Sequence, residues 1–100
     1  MTGDRMRRVD EAMREVLSVA ITSELKDPRV GFVTVTSVDT APDLRQARVY
    51  VSVLGADPVR RRSLDGLRSA HGYLQRRVAD ELPIKHTPTL GAGQGLYRLR

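Results

Sequence analysis

The chain has no cysteine, no tryptophan and a single phenylalanine. Without cysteine there are no disulfides and no thiolate-held zinc, a pattern that fits a reducing compartment. With one phenylalanine and no tryptophan, the core has to be built from aliphatic side chains. Long apolar runs are missing as well: none approaches the roughly 20 residues of a membrane span. The first sixteen residues, MTGDRMRRVDEAMREV, lack the continuous apolar segment of a secretory signal, and their acidic residues argue against a transit peptide. A cytoplasmic protein with no membrane partner is expected. Histidine is scarce too. His71 and His86 stand alone without cysteine support, so neither a metal site nor a cofactor is expected.

What is present describes an ordinary small globule. The 100 residues are 40% hydrophobic and 29% charged, enough for one domain with one modest core. Net charge is +5 and the sequence pI about 10.4, which favours an anionic partner. The excess is uneven. Asp4 to Asp27 carries five basic and six acidic residues, whereas Asp57 to Pro88 carries seven basic and four acidic.

Along the chain, Asp4 is placed to cap a first helix. Met6, Val9, Met13, Val16, Leu17, Ala20 and Ile21 follow at spacings of three and four, an apolar stripe over about six turns. Asp27-Pro28 ends it. Val30 to Val38 is rich in β-branched residues and reads as a strand, with Val33 and Val35 on one face and Phe32, Thr34 and Thr36 on the other. Turn-forming residues follow from Asp39 to Asp43. Gln46 to Leu54 is a second strand: Ala47, Val49, Val51 and Val53 form its apolar face, Arg48, Tyr50 and Ser52 the other. The short connection implies an antiparallel hairpin, one face under helices and one toward water.

Asp57 as cap and Pro58 at the first helical position open the next helix. Leu64, Leu67, Leu74, Val78 and Leu82 form a helical stripe, but Ala70-His71-Gly72 interrupts it. Gly72 costs about 1 kcal/mol relative to alanine in a helix, so a bend or a close backbone approach is expected there. After Leu82-Pro83, Ile84 to Leu90 could open a third strand that Pro88 confines to an edge, at most a short one around His86 to Leu90. Gly91 to Arg100 reads as a loose end, with neither strand alternation nor a helix signal.

No catalytic constellation emerges. The serines lie outside any nucleophile-elbow pattern, and Gly91-Ala92-Gly93-Gln94-Gly95 lacks the following helix that a phosphate loop needs. The stronger signal is cationic. Arg60, Arg61, Arg62 and Arg68 precede the helix break, Arg76 and Arg77 follow it, and Lys85 lies just beyond. Two basic arms meeting at Ala70 and Gly72 suggest a surface for a phosphate backbone. His71 and Tyr73 sit beside the break as further contacts, Tyr73 by stacking on a base. Arg45 and Arg48 extend the basic area from the sheet. The alternative is a protein-interaction module whose basic helices dock an acidic protein.

Four segments in order resemble the ribosome-binding factor A family: Glu24-Leu25-Lys26-Asp27-Pro28-Arg29-Val30-Gly31; Asp43-Leu44 with Ala47 and Val49-Tyr50-Val51-Ser52; Ala70-His71-Gly72-Tyr73-Leu74; and Thr87-Pro88-Thr89-Leu90. The resemblance runs from about Arg5 to Leu90. It implies an α+β, type II KH-like domain, ordered helix, strand, strand, helix, kink, helix, strand, over residues 1–90. In it an alanine-x-glycine kink, here Ala70 and Gly72, replaces the usual KH loop. It also implies a non-catalytic, monomeric ribosome biogenesis factor that binds the immature small ribosomal subunit, assists maturation of its precursor rRNA and supports growth in the cold. The tail departs from the family. Residues 91–100 replace an alternating apolar strand, a join of the kind a shifted reading frame or a truncated gene produces, so the last strand should be short or missing.

Overall fold

A computed structural model describes residues 2–42, 45–82, 89–90 and 97–99, with side chains for 6–42 and 45–82. Helix α1 (Thr2–Val19) runs into a π-helical turn, Ala20–Glu24. Strands β1 (Val33–Thr40) and β2 (Gln46–Val53) follow, then α2 (Asp57–Ser69), α3 (His71–Glu81) and two short strands, β3 (Thr89–Leu90) and β4 (Tyr97–Leu99). β1 and β2 pair antiparallel, and β3 and β4 both run parallel to β2 on its other side. The helices lie on one face: α1 packs on β1 and α3, and α2 on β2. This is the α+β arrangement of a type II KH-like domain.

The core is aliphatic, as the composition requires. Met13, Leu17, Ala20 and Ile21 of the first helical segment meet Val33, Val35 and Val38 of β1, Ala47, Val49, Val51 and Val53 of β2, and Leu64, Leu67, Leu74 and Val78 of the later helices. Leu82, expected in the buried stripe, is only partly buried, because its backbone has already turned extended at the end of α3. The solvent face of the hairpin carries Thr34 and Arg48, both exposed.

Several boundaries differ from the periodicity reading. Helix α1 starts at Thr2, which moves Asp4 from the cap position into the first turn. The helix stops at Glu24, because Leu25 is extended (φ −69°, ψ 134°) before Asp27-Pro28 is reached. α2 is capped by Ala56 without a side-chain bond, so Asp57 is its first residue rather than its cap. β1 begins at Val33 and not Val30, since Val30 N–H closes a turn onto the Asp27 carbonyl at 3.1 Å.

β1 also continues through Asp39 and Thr40, where turn residues suggested a loop. A bulge between Val35 and Ser37 accounts for this. The extra residue flips the alternation, so that Val38 and Thr40 turn inward where strict alternation would point them to water. Thr36 Oγ1 donates to the Tyr50 carbonyl (3.1 Å) beside the bulge. Thr40 N–H donates to the Asp10 carboxylate of α1 (2.9 Å), fixing the helix across the strand end. Burial pushes the Asp10 carboxyl above its ordinary value, against the pull of the two Thr40 bonds.

At the other end of the chain, Thr89–Leu90 forms the short strand expected there. Tyr97–Leu99 pairs with Val49–Val51, where the sequence suggested a loose end. β2 would otherwise present unpaired backbone groups along that edge, and a tyrosine and a leucine suit the sheet that supplies them.

Two glycines position α2. Gly55 adopts φ 131°, a conformation costly for other residues, and turns the chain from β2 into the helix. Gly66 lies against the loop before β1: a Cβ there would stand 2.6 Å from Val30 Cγ2 and 3.4 Å from both Arg29 Cβ and Val30 N. Ser63, fully buried, secures the same loop by accepting from Gly31 N–H (3.2 Å) and donating to the Arg29 carbonyl (3.3 Å).

Gly72 is the opposite case, since a Cβ there would meet nothing within 4 Å. Gly66→Ala should therefore destabilise the fold, overpacking costs of about 1–3 kcal/mol exceeding the roughly 1 kcal/mol gain in helix propensity. Gly72→Ala should raise stability by up to about 1 kcal/mol. Urea denaturation of the two variants measures the contrast, and equal midpoints would contradict it.

Candidate RNA-facing surface at the helix break

The ladder of α2 ends with Ala70, whose N–H makes the helical bond to the Gly66 carbonyl (3.0 Å) and shares it with Leu67 (3.1 Å), and it resumes with Leu74 N–H donating to the Ala70 carbonyl (3.0 Å). α3 therefore begins at His71, and the first-turn amides of a helix lack acceptors in their own helix. Gly72 lies in that first turn, exposed and with open space around it. Among the described residues nothing approaches it, so packing against them does not explain the glycine. His71 Nδ1 is buried at the break without a hydrogen-bond partner among the described residues.

The arginines around the break fall into two groups. Arg61, Arg62 and Arg76 are exposed and meet no acceptor among the described residues. Arg76 stands four residues after Gly72, on the same face of α3. The remaining helical arginines have acidic partners. Arg60 Nη1 lies 3.4 Å from Asp57 Oδ1, and Arg68 Nη1 lies 3.3 Å from Asp65 Oδ1. Both are surface pairs one turn apart, which restrain a guanidinium only weakly, so phosphate can compete for them. Arg60 also buries its Nε without a partner among the described residues.

Arg77 is different. Its Nε donates to Glu24 Oε1 (2.9 Å), its Nη2 to Glu24 Oε2 (3.2 Å) and its Nη1 to Glu81 Oε1 (2.8 Å). Tyr73 donates its hydroxyl to the same Glu24 carboxylate. Arg77 and Tyr73 are thus committed to holding α3 against the π-helical turn. Both are expected from the sequence as nucleic-acid contacts; in the fold each also bonds Glu24, an acceptor from a distant part of the chain. Arg77 hydrogen bonding, and then Tyr73, hold the Glu24 carboxyl below its ordinary value, while Glu24 raises both Arg77 and Tyr73.

On the sheet, Arg48 is exposed and hydrogen-bonded to the Tyr50 hydroxyl, which raises its pKa. Arg45 is exposed and engaged with other groups. Both belong to the β2 side, apart from the arginines of α2 and α3. Lys85 and His86 lie outside the described residues. Among the described residues no three acidic or histidine side chains gather as a metal site, and no helix is long and apolar enough to cross a membrane.

Glu24 was not legible as a site residue. It occupies an ordinary helix end in the sequence, and its partners Tyr73 and Arg77 are 49 and 53 residues away. The adjacent turn is held by Asp27, which accepts from the Arg29 guanidinium and backbone N–H and is lowered to about 2 as a result. A carboxyl with a depressed folded-state pKa stabilises the fold above its unfolded value and loses that contribution as pH falls. For Asp27 the window runs from the ordinary 3.8 down to about 2, and for Glu24 it lies below 4.5. Asp27→Asn and Glu24→Gln should each flatten the fall of Tm with acidification in that window. An unchanged acid limb in both would show that these contacts do not persist in solution.

Residues 5–91 match the Ribosome-binding factor A family. The chain is 43% identical over 90 residues to the Ribosome-binding factor A of Desulfitobacterium hafniense, covering 90% of this chain and 72% of that one. It is 47% identical over 90 residues to that of an Anaeromyxobacter species, covering 89% and 74% respectively. In structure it is similar to a Thermotoga maritima protein solved by NMR and described as a candidate ribosome binding factor A. That match has a TM-score of 0.76 and 28% identity, covering 96% of this chain and 85% of that one. The crystal structure of ribosome-binding factor A from Thermus thermophilus shares the fold, with a TM-score of 0.74 at 20% identity and coverage of 95% and 93%. With a family match over most of its length, a fold in common with solved members and the alanine-x-glycine break at Ala70 and Gly72, the chain belongs to the ribosome-binding factor A family.

Proposed function

We propose that this chain is a ribosome biogenesis factor that binds the immature small ribosomal subunit and assists maturation of its rRNA, acting as a cytoplasmic monomer without catalysis. One observation carries the reading: Arg61, Arg62 and Arg76, without acceptors among the described residues, flank a helix start whose Gly72 face is open. First-turn amides and the positive end of the α3 dipole suit a phosphate, and the absent Cβ lets a backbone come close. The arginines add the counterion-releasing contacts that dominate RNA affinity. No step of bond cleavage is assigned to any residue; binding energy alone would bias the conformation of the RNA.

The test is co-sedimentation of the chain with immature and with mature small subunits, before and after RNase treatment. Preferential, RNase-sensitive and salt-sensitive recovery with immature particles is expected. Equal recovery with both particles would refute the preference, and recovery that survives RNase would instead favour an acidic protein partner.

A further inference from the structure

The only phenylalanine of the chain is 81% exposed. A side chain of that size ordinarily contributes most when buried, yet every member of the core cluster is aliphatic or methionine. Phe32 is not on a loose segment: its carbonyl accepts Leu54 N–H at 3.1 Å, and the next residue pairs with Val53 in the β1–β2 ladder. The ring is therefore held out on a fixed backbone.

It borders a groove of about 390 Å³ between the start of β1 and the π-helical turn, whose other walls include Ile21, Leu25 and Val30. Thr22 and Thr34 line the same groove with hydroxyls. Thr22 Oγ1 donates to the Ser18 carbonyl (2.7 Å) and lies 3.5 Å from the Ser23 hydroxyl, so it faces the groove as an acceptor with one lone pair shared. Lys26, next to Leu25, is exposed and has no acceptor among the described residues. An aromatic wall, an aliphatic wall and hydroxyl groups suit a flat ring with polar edges, and Lys26, outside the lining but adjacent in the chain to Leu25, adds a positive charge for a phosphate.

We infer that the groove between Phe32 and Leu25 holds one unpaired nucleobase of the bound RNA, stacked on the Phe32 ring with its phosphate toward Lys26. The inference rests on the RNA-binding reading above and adds a contact apart from the helix break. Stacking on an aromatic side chain tolerates any base, since every base has a π-face. The groove then supplies affinity for single-stranded RNA, while the arginines of α2 and α3 supply the charge.

The absence of tryptophan makes a clean test available. Phe32→Trp introduces one fluorophore at the groove, titrated with a mixed-sequence single-stranded RNA dodecamer at low salt. Expected are quenching of the tryptophan and affinity close to that of the parent. Phe32→Leu, which stays apolar but loses the ring, should weaken binding by roughly 5- to 150-fold. An unquenched tryptophan at saturation, or a leucine variant that binds as well as the parent, would overturn the inference. The Arg61, Arg62 and Arg76 triple alanine variant separates the two readings in the same titration. If it loses affinity while Phe32→Leu does not, the groove assignment fails and the RNA reading stands. If the parent itself captures no RNA, both fail.

Discussion

Replacing Arg61, Arg62 and Arg76 together with alanine should lower affinity for small-subunit rRNA by roughly 50- to 150-fold at 0.15 M salt. The estimate follows from counterion release, in which each neutralised phosphate contributes a slope of about 0.7 on single strands and about 0.9 on duplex in log affinity against log salt. Three lost contacts reduce the slope by about 2 to 3. These three are chosen because they have no acceptor among the described residues, so their removal disturbs no ion pair seen in the fold. Thermal stability should stay within about 0.5 kcal/mol of the parent, as for ordinary surface substitutions. Arg77→Ala offers the contrast: it strips Glu24 and Glu81 of their partner and should lower Tm, with a smaller direct effect on the salt slope. If Arg77→Ala changed the slope while the triple variant did not, the division between free and committed arginines would be wrong. Filter binding over a salt series reads both quantities.

The largest loss of stability is expected from Leu67→Ala. α2 buries Ser63, Leu64, Gly66 and Leu67, and of these Leu67 is the large side chain that is wholly buried. Truncation removes its transfer free energy and leaves a cavity, together costing about 2–5 kcal/mol. A domain of this size has on the order of 5–15 kcal/mol in total. At about 4–8 °C per kcal/mol for a small domain, Tm should fall by at least about 8 °C. The urea midpoint should drop with an unchanged slope, because the unfolded state exposes the same chain. A loss below about 1 kcal/mol would mean that α2 is not seated through Leu67. Binding below the new Tm should persist, since Arg61 and Arg62 lie on the opposite, exposed side of the helix.

The elements of the fold were readable because burial repeats locally. Apolar residues at three- and four-residue spacing marked α1, α2 and α3, and strict alternation at Ala47, Val49, Val51 and Val53 marked β2 with its buried face. β1 was harder. Its valines were visible, but the bulge after Val35 arises from pairing with β2, and it moved Val38 and Thr40 to the inner face. The helix starts slipped at Asp4 and Asp57, because α1 begins at Thr2 and α2 at Asp57 itself, with Ala56 at the cap position making no side-chain bond. The helix break was legible from Ala70 and Gly72, although the geometry puts the interruption at Ala70 and leaves Gly72 inside α3.

By itself the sequence determined the α+β class, the aliphatic core, the basic helix pair and the family, because each depends on residue type and short spacings. Only the tertiary structure decided which cations are free. Arg76 and Arg77 are neighbours in the chain, but successive residues of a helix point about 100° apart. One therefore faces water and the other meets Glu24, 53 residues away. For Phe32 the division falls differently: alternation with Val33 and Val35 already turned it away from the core, and the tertiary structure added the groove beside it, formed with Ile21 and Leu25 of a distant segment.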